Sequence, residues 1–228
     1  NEAIKVSSGN VIIRIDAHAR IPENFVEKNM ESIRKGEYVV GGPRPNIVDE
    51  PTIWKQVLLK AESSMFGSGI SSFRRKTTED NELHYRIRKA GYKICYNPDI
   101  ISYQFVRGTF RQMIKQKFGN GYWIGLTTGV CPGCLSIYYF VPCGFCVALL
   151  LSLILYIMKK PIPLITLNIL YWCTNVLMTL GSINNEKKYI EEILLPFIFF
   201  FLHLAYGIGT IIGLVQMPFK RKKLTSQN

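Results

Sequence analysis

The spacing of hydrophobic positions changes along this chain, and the change divides it in two. Over residues 11–15 the run Val11-Ile12-Ile13-Arg14-Ile15 is almost continuously apolar, which predicts a strand buried on both faces of a sheet. Beyond Pro22, apolar residues recur at helical spacing as Phe25, Val26, Met30 and Ile33, and Gly36 closes the segment. Residues 38–42 read as a second strand, so the order strand, helix, strand indicates an α/β unit with crossover helices. Another helix is expected over 51–62, packing through Ile53, Trp54, Val57, Leu58 and Ala61. Residues 77–91 form a short helix with an acidic entrance, packing through Leu83, Ile87 and Ala90 and stopped by Gly91. A strand over 92–96 follows, ended by Asn97-Pro98.

After Ser136 the pattern is different. Residues 137–158 carry no charge and suffice to cross about 30 Å of hydrocarbon. Residues 162–183 and 193–217 are two further candidates, separated from the first by Lys159-Lys160-Pro161 and followed by Lys220-Arg221-Lys222-Lys223. A membrane domain of two to three transmembrane helices is therefore expected over 126–228, with a soluble domain over 1–125. Between them, residues 110–123 set Phe110, Met113, Ile114 and Phe118 among Arg111, Lys115 and Lys117, a pattern that suits a helix lying on a membrane surface.

Composition sharpens this division. The formal net charge is +12. Residues 1–136 hold 20 Lys/Arg against 13 Asp/Glu, and the remainder holds 8 against 3. Basic excess beside apolar spans points to anionic lipid and cytoplasmic orientation, and no motif argues for nucleic acid. Of six cysteines, Cys131/Cys134 and Cys143/Cys146 are CxxC pairs. The second pair lies in an apolar span with no Asp or His nearby, so reduced, apolar cysteines are expected rather than zinc ligands.

Two groups could carry chemistry. Asp16 and His18 follow the first strand, alternate along the chain and could share a divalent cation, although Asp-x-His alone is a weak motif whose default reading is a loop-capping Asp beside a satisfied His. Glu79 and Asp80 stand at a helix entrance, where a carboxylate is aimed and kept ionised; Thr77-x-x-Asp80 is also a plain capping box. Gly41-Gly42 reads as a tight backbone turn, and residues 66–76 as a basic loop.

Glu79-Asp80-x-Glu82-Leu83-x-x-Arg86-x-x-x-x-Gly91, with Asp16-Ala17-His18 ahead of it, resembles the acidic motifs of inverting family 2 glycosyltransferases. The chain is similar to the membrane-anchored members that build succinoglycan-type exopolysaccharides. That resemblance implies a GT-A (Rossmann-like) domain and transfer from a nucleotide-sugar donor to a lipid-linked saccharide acceptor at the plasma membrane, with the catalytic domain cytoplasmic. It implies Asp80 as the base that deprotonates the acceptor hydroxyl, with Glu79 beside it, and Asp16 and His18 as ligands of Mn²⁺ or Mg²⁺ on the diphosphate. Arg74 would lie near the donor phosphates, and Gln116 and Trp123 at the acceptor side. His203-x-x-Tyr206-Gly207-x-Gly209 also resembles a segment of these enzymes, where a packed small-residue helix face explains the glycines equally well. The family's nucleotide-binding strands ahead of Val11 have no counterpart, and Gly69 to Glu79 is shorter than the family pattern. The expectation is thus a partial, N-terminally incomplete GT-A domain fused to a membrane anchor, with a non-catalytic membrane protein that binds a partner or saccharide as the alternative.

Overall fold

Five short strands and eight α-helices are arranged in two tiers in the computed structural model, which describes residues 5–68, 81–183 and 190–225. The first tier opens with β1 (Ala19–Arg20), helix α1 (Phe25–Arg34), β2 (Val39–Gly41) and β3 (Asn46–Ile47). No strand is described over 11–15. That run was expected to be buried on both faces, yet Ile12 and Ile15 are 54% and 45% exposed, and no described strand lies beside it to take up its backbone groups. α1 follows Asn24, with Pro22 in the turn before it, and it buries Phe25, Asn29 and Ser32 rather than Val26. Its polar contacts are satisfied: Asn29 donates to the Phe25 carbonyl at 2.8 Å, and Asn97 donates to Ser32 Oγ at 2.9 Å.

Helix α2 (Ile53–Ser63) is capped by Thr52, whose hydroxyl accepts from the Lys55 amide at 3.3 Å. Val57, Leu58 and Ala61 are fully buried as expected, whereas Ile53 and Trp54 at its first turn remain exposed. The four-residue α3 (Met65–Ser68) follows. α4 (Asn81–Lys89) ends on Gly91, whose φ of +88° is the left-handed conformation a helix stop needs. Leu83 and Ala90 are exposed on it, contrary to the packing face read from their spacing. α4 instead meets the 3-10 turn Pro132–Cys134, where Tyr85 lies over Gly133.

β4 (Ile94–Tyr96) pairs in parallel with β2, and β5 (Tyr103–Phe105) lies between β1, antiparallel, and β3, parallel. The two ladders meet at Gly42. A Cβ there would collide with the Ile100 carbonyl, so this glycine serves close backbone approach rather than a tight turn.

The second tier holds α5 (Phe110–Thr127), α6 (Val141–Ile157), α7 (Ile162–Ser182) and α8 (Leu195–Thr225), the last entered through a 3-10 turn, Ile190–Leu194. Three segments, Ile137–Ile157, Ile162–Ser182 and Ile190–Lys220, are long and apolar enough to cross a membrane. Lys159, at φ 64°, and Pro161 make the turn between the first two. α6 and α7 leave Leu150, Leu151, Ile157, Ile169, Leu170 and Leu177 more than half exposed, as lipid-facing helices do.

α5 docks along α8 through glycines, where a helix lying on a membrane surface was expected. Gly121 and Gly125 face the carbonyls of Tyr206 and Thr210, while Gly209 and Gly213 face those of Phe118 and Tyr122. At each of these positions a Cβ would overlap the opposing backbone. Arg111, Lys115 and Trp123 remain exposed on the outer side of α5. The main core is built from both tiers: Val57, Leu58 and Ala61 of α2, Met113 of α5, and Leu195, Ile198, Phe199 and Leu202 of α8.

Candidate active site

β5 organises the described part of the site. The Ala19 amide bonds to the Asp16 carbonyl at 2.9 Å, closing a turn, and the Phe105 amide then bonds to the His18 carbonyl at 3.1 Å. Asp16 and His18 are thereby fixed at the start of the β1–β5 ladder, on either side of Ala17. On the other flank of β5, Ser102 and Gln104 donate their amides to the carbonyls of Pro43 and Pro45 at 3.1 and 3.0 Å. Arg44, held between those prolines, reaches Asp16 Oδ2 at 3.1 Å, and the more exposed Arg14 reaches Oδ1 at 3.4 Å. Gln104 Nε2 lies 3.2 Å from His18 Nε2, tying the imidazole to β5.

Arg44 and Gln104 were not singled out from the sequence. The signal for Arg44 was the Gly-Gly-Pro-Arg-Pro stretch, in which two prolines stiffen the backbone around one cation. Gln104 had no signal beyond a polar residue between Tyr103 and Phe105.

A carboxylate and an imidazole are oxygen and nitrogen donors of the kind Mn²⁺ or Mg²⁺ accepts, so the residues fit such an ion in type. Two protein donors leave most of a six-coordinate shell to other oxygens, and among the described residues no group of three or more His, Cys, Asp or Glu gathers here. Arg44 and Arg14 compete with a cation for Asp16, and the same guanidiniums are suited to phosphate oxygens.

Glu79, Asp80 and Arg74 lie outside the described residues. The helix that follows the acidic pair in sequence, α4, is tied to the β2–β4 ladder by Gly91 and β4, and to the second tier by Tyr85 on Gly133. Gln116 and Trp123 are both on α5, half-buried and 58% exposed respectively.

Residues 1–94 match the family described as "Glycosyl transferase family 2". Over those residues, about two fifths of the chain, the protein is similar to family 2 glycosyltransferases. The match covers Asp16, His18, Glu79 and Asp80 in one stretch, and a GT-A type fold goes with it. The transferase is also similar, at 26% identity, to the dolichyl N-acetyl-alpha-D-glucosaminyl phosphate 3-beta-D-2,3-diacetamido-2,3-dideoxy-beta-D-glucuronosyltransferase of Methanococcus voltae. That likeness covers 95% of this chain and 74% of the relative. The matched region, 256 residues long, exceeds the 228 of this transferase, so the relative carries residues with no counterpart here. No solved structure matches the chain.

Proposed function

We propose that this transferase moves a sugar from a nucleotide-sugar donor to a lipid-linked saccharide phosphate at the membrane surface, in the building of an exopolysaccharide or cell-surface glycan. The observation that carries the reading is the union, in one chain, of the family 2 match over residues 1–94 with three apolar helices, the third of which shares its core with the first tier. An acceptor whose lipid lies in the bilayer is met by an enzyme held there. The relative is named for an acceptor that is a dolichyl N-acetylglucosaminyl phosphate, which supports the same chemistry here.

In this reading the domain of residues 1–125 works on the cytoplasmic face of the plasma membrane, and residues 126–228 anchor it. Asp80 takes the proton of the acceptor hydroxyl as that oxygen attacks the anomeric carbon from the side opposite the leaving group, inverting the configuration. Glu79 orients Asp80. Asp16 and His18 would hold Mn²⁺ or Mg²⁺, which when bound neutralises the departing nucleoside diphosphate. Arg74, with Arg44 beside Asp16, supplies positive charge for the phosphates, and Gln116 and Trp123 lie toward the acceptor.

Asp80→Asn tests the central role. With the full chain in native membrane, a panel of UDP-sugars and dolichyl-phosphate-linked N-acetylglucosamine, loss of roughly a hundredfold or more in transfer is expected, since general-base removal costs about that much. Transfer at the wild-type rate by the Asn variant would remove Asp80 from the mechanism.

A further inference from the structure

Length and composition allow α8 to cross a membrane, but its neighbours are not arranged around a crossing helix. From Glu192 to His203 it is held against the first tier. Lys60 pairs with Glu192, and Val57, Leu58 and Ala61 pack with Leu195, Phe199 and Leu202. His203 Nε2 lies 2.8 Å from the Phe66 carbonyl. From Phe201 to Met217, α8 runs beside α5 and in the same direction. The Phe110 ring meets Phe201, Gly121 meets the Tyr206 carbonyl, Gly125 that of Thr210, and Gly129 the Met217 side chain. Just past α5, Gly133 lies against Tyr85 of α4, so the first tier touches this pair of helices at its far end as well as at its start. Met113 to Gly129 is about 24 Å of helix.

α6 and α7 stand differently. α8 meets α6 at Pro142 and Cys146, in its first two turns, and α7 at Tyr171, Trp172 and Asn175, in its second half. Toward the turn at Lys159 the hairpin leaves Leu150, Ile157, Ile162 and Ile169 exposed. α8 thus passes across the base of the hairpin instead of following it. The large apolar side chains that α8 leaves exposed are Phe197, Phe201, Ile208, Val215 and Phe219. They follow one another at intervals of four and seven, so they form one stripe from end to end. On α5, Arg111, Lys115 and Asn120 are exposed. With α8 upright, the helix bound along it would carry these groups toward hydrocarbon, where charge is strongly disfavoured.

We infer that α8 lies along the membrane surface rather than across it, with α5 beside it. Its apolar stripe is sunk to the boundary between headgroups and acyl chains, and the first tier rests on it from the other side. The inference rests on the membrane seat proposed above and not on the role of Asp80. Lys220 and the basic residues after it then share a side with the first tier, where Lys and Arg are favoured. Among the described helices, α6 and α7 are those that enter the bilayer upright.

Depth tells the two arrangements apart. In a full chain freed of its own tryptophans by Trp54→Phe, Trp123→Phe and Trp172→Phe, one is returned to the stripe as Phe197→Trp, Ile208→Trp or Phe219→Trp. Each chain is placed in bilayers whose lipids carry bromine either near the headgroup or at the chain end. The outer two positions are about 33 Å apart along the helix, enough to reach from one face of the hydrocarbon to the other. All three are expected to lose fluorescence alike, and most to the shallow bromines. Greatest loss of Ile208→Trp to the chain-end bromines, with the other two losing most to the shallow ones, is the pattern of a crossing helix and overturns the inference. No loss at any position overturns it too, together with the membrane seat. If the tryptophan-free chain does not fold, epitope tags decide, one between Asn185 and Glu186 and one after Asn228, each in an otherwise native chain in sealed vesicles. An antibody is expected to reach both from the same side; reaching them from opposite sides overturns the inference. Neither readout needs turnover. A flat α8 with Asp80→Asn fully active would sink the transfer reading alone, whereas a crossing α8 with Asp80→Asn inactive would sink this inference alone.

Discussion

Lys117 is buried beneath α2, and Glu62 faces it at 2.9 Å. A second pair, Lys60 with the buried Glu192, lies two residues earlier on α2 and joins it to the entrance of α8. Removing one member of such a pair leaves the other charge stranded, so Lys117→Met is expected to destabilise the first tier by about 3–5 kcal/mol. Lys117→Met with Glu62→Leu is expected to regain most of that, because well-packed apolar replacements do about as well as a buried pair. Thermal unfolding in one detergent, compared across the single and double variants, checks both statements; a double variant no better than the single one would contradict them. At Asp16 the balance differs, because Arg44 and Arg14 already satisfy the carboxylate. Asp16→Ala is expected to abolish binding of Mn²⁺ alone. Arg44→Ala is expected to tighten it by about two- to fivefold, the worth of a partly exposed ion pair. Titration calorimetry with MnCl₂ distinguishes the two, and weaker binding in Arg44→Ala would mean that the arginine helps the ion rather than competes with it.

Among the elements, the periodic ones were readable in advance. α1 and α2 stand close to the segments that apolar spacing predicts, because burial along one stripe writes itself into the sequence at intervals of three and four, and α6 and α7 match uncharged apolar runs of spanning length. The strands were less so. β1 and β3 are two residues each and exist through backbone pairing with β5, which leaves no side-chain alternation to read. The run 11–15 has the composition of a buried strand, but composition cannot supply a neighbour. At the candidate site, Asp16 and His18 were legible as chemistry, while Arg44 and Gln104 depend on how β5 is flanked, a long-range fact. His203 was visible as an odd residue in an apolar run; its partner, a backbone carbonyl at Phe66, has no side-chain signature at all. The docking of α5 on α8 was hidden for a related reason, since glycines announce small size and not which helix they meet. That contact supports a prediction at its own scale. Gly209→Leu is expected to destabilise the α5–α8 pair by about 1–3 kcal/mol or more, the range for overpacking a close contact, with a lower unfolding temperature and α5 opened to protease.

For the whole molecule the two tiers are one packed body at the level of the main core, since Leu58 and Ala61 of α2 lie against Phe199 and Leu202 of α8. Washing membranes with alkaline carbonate or high salt is therefore expected to leave the intact chain in the pellet, together with the first tier, which carries most of the charge. Release of the chain by carbonate would contradict insertion of the three apolar helices. Detergents that strip lipid from α6 and α7 are expected to affect transfer less than changes at α8, because α8 alone among the three apolar helices holds both the glycine seam and the core residues shared with α2.

The seam between α5 and α8 has one consequence for how this sequence can change over time. Gly125, Gly209 and Gly213 press on backbone rather than on side chains, and Gly121 presses first on the Tyr206 carbonyl. A bulky replacement in an ordinary core can be rescued by a smaller residue opposite, but nothing smaller than glycine exists, and a carbonyl cannot be trimmed. Suppressors of a Gly209 lesion should therefore never be found as size exchanges across the seam. They should arise, if at all, at distant positions that let the two helices shift apart as units.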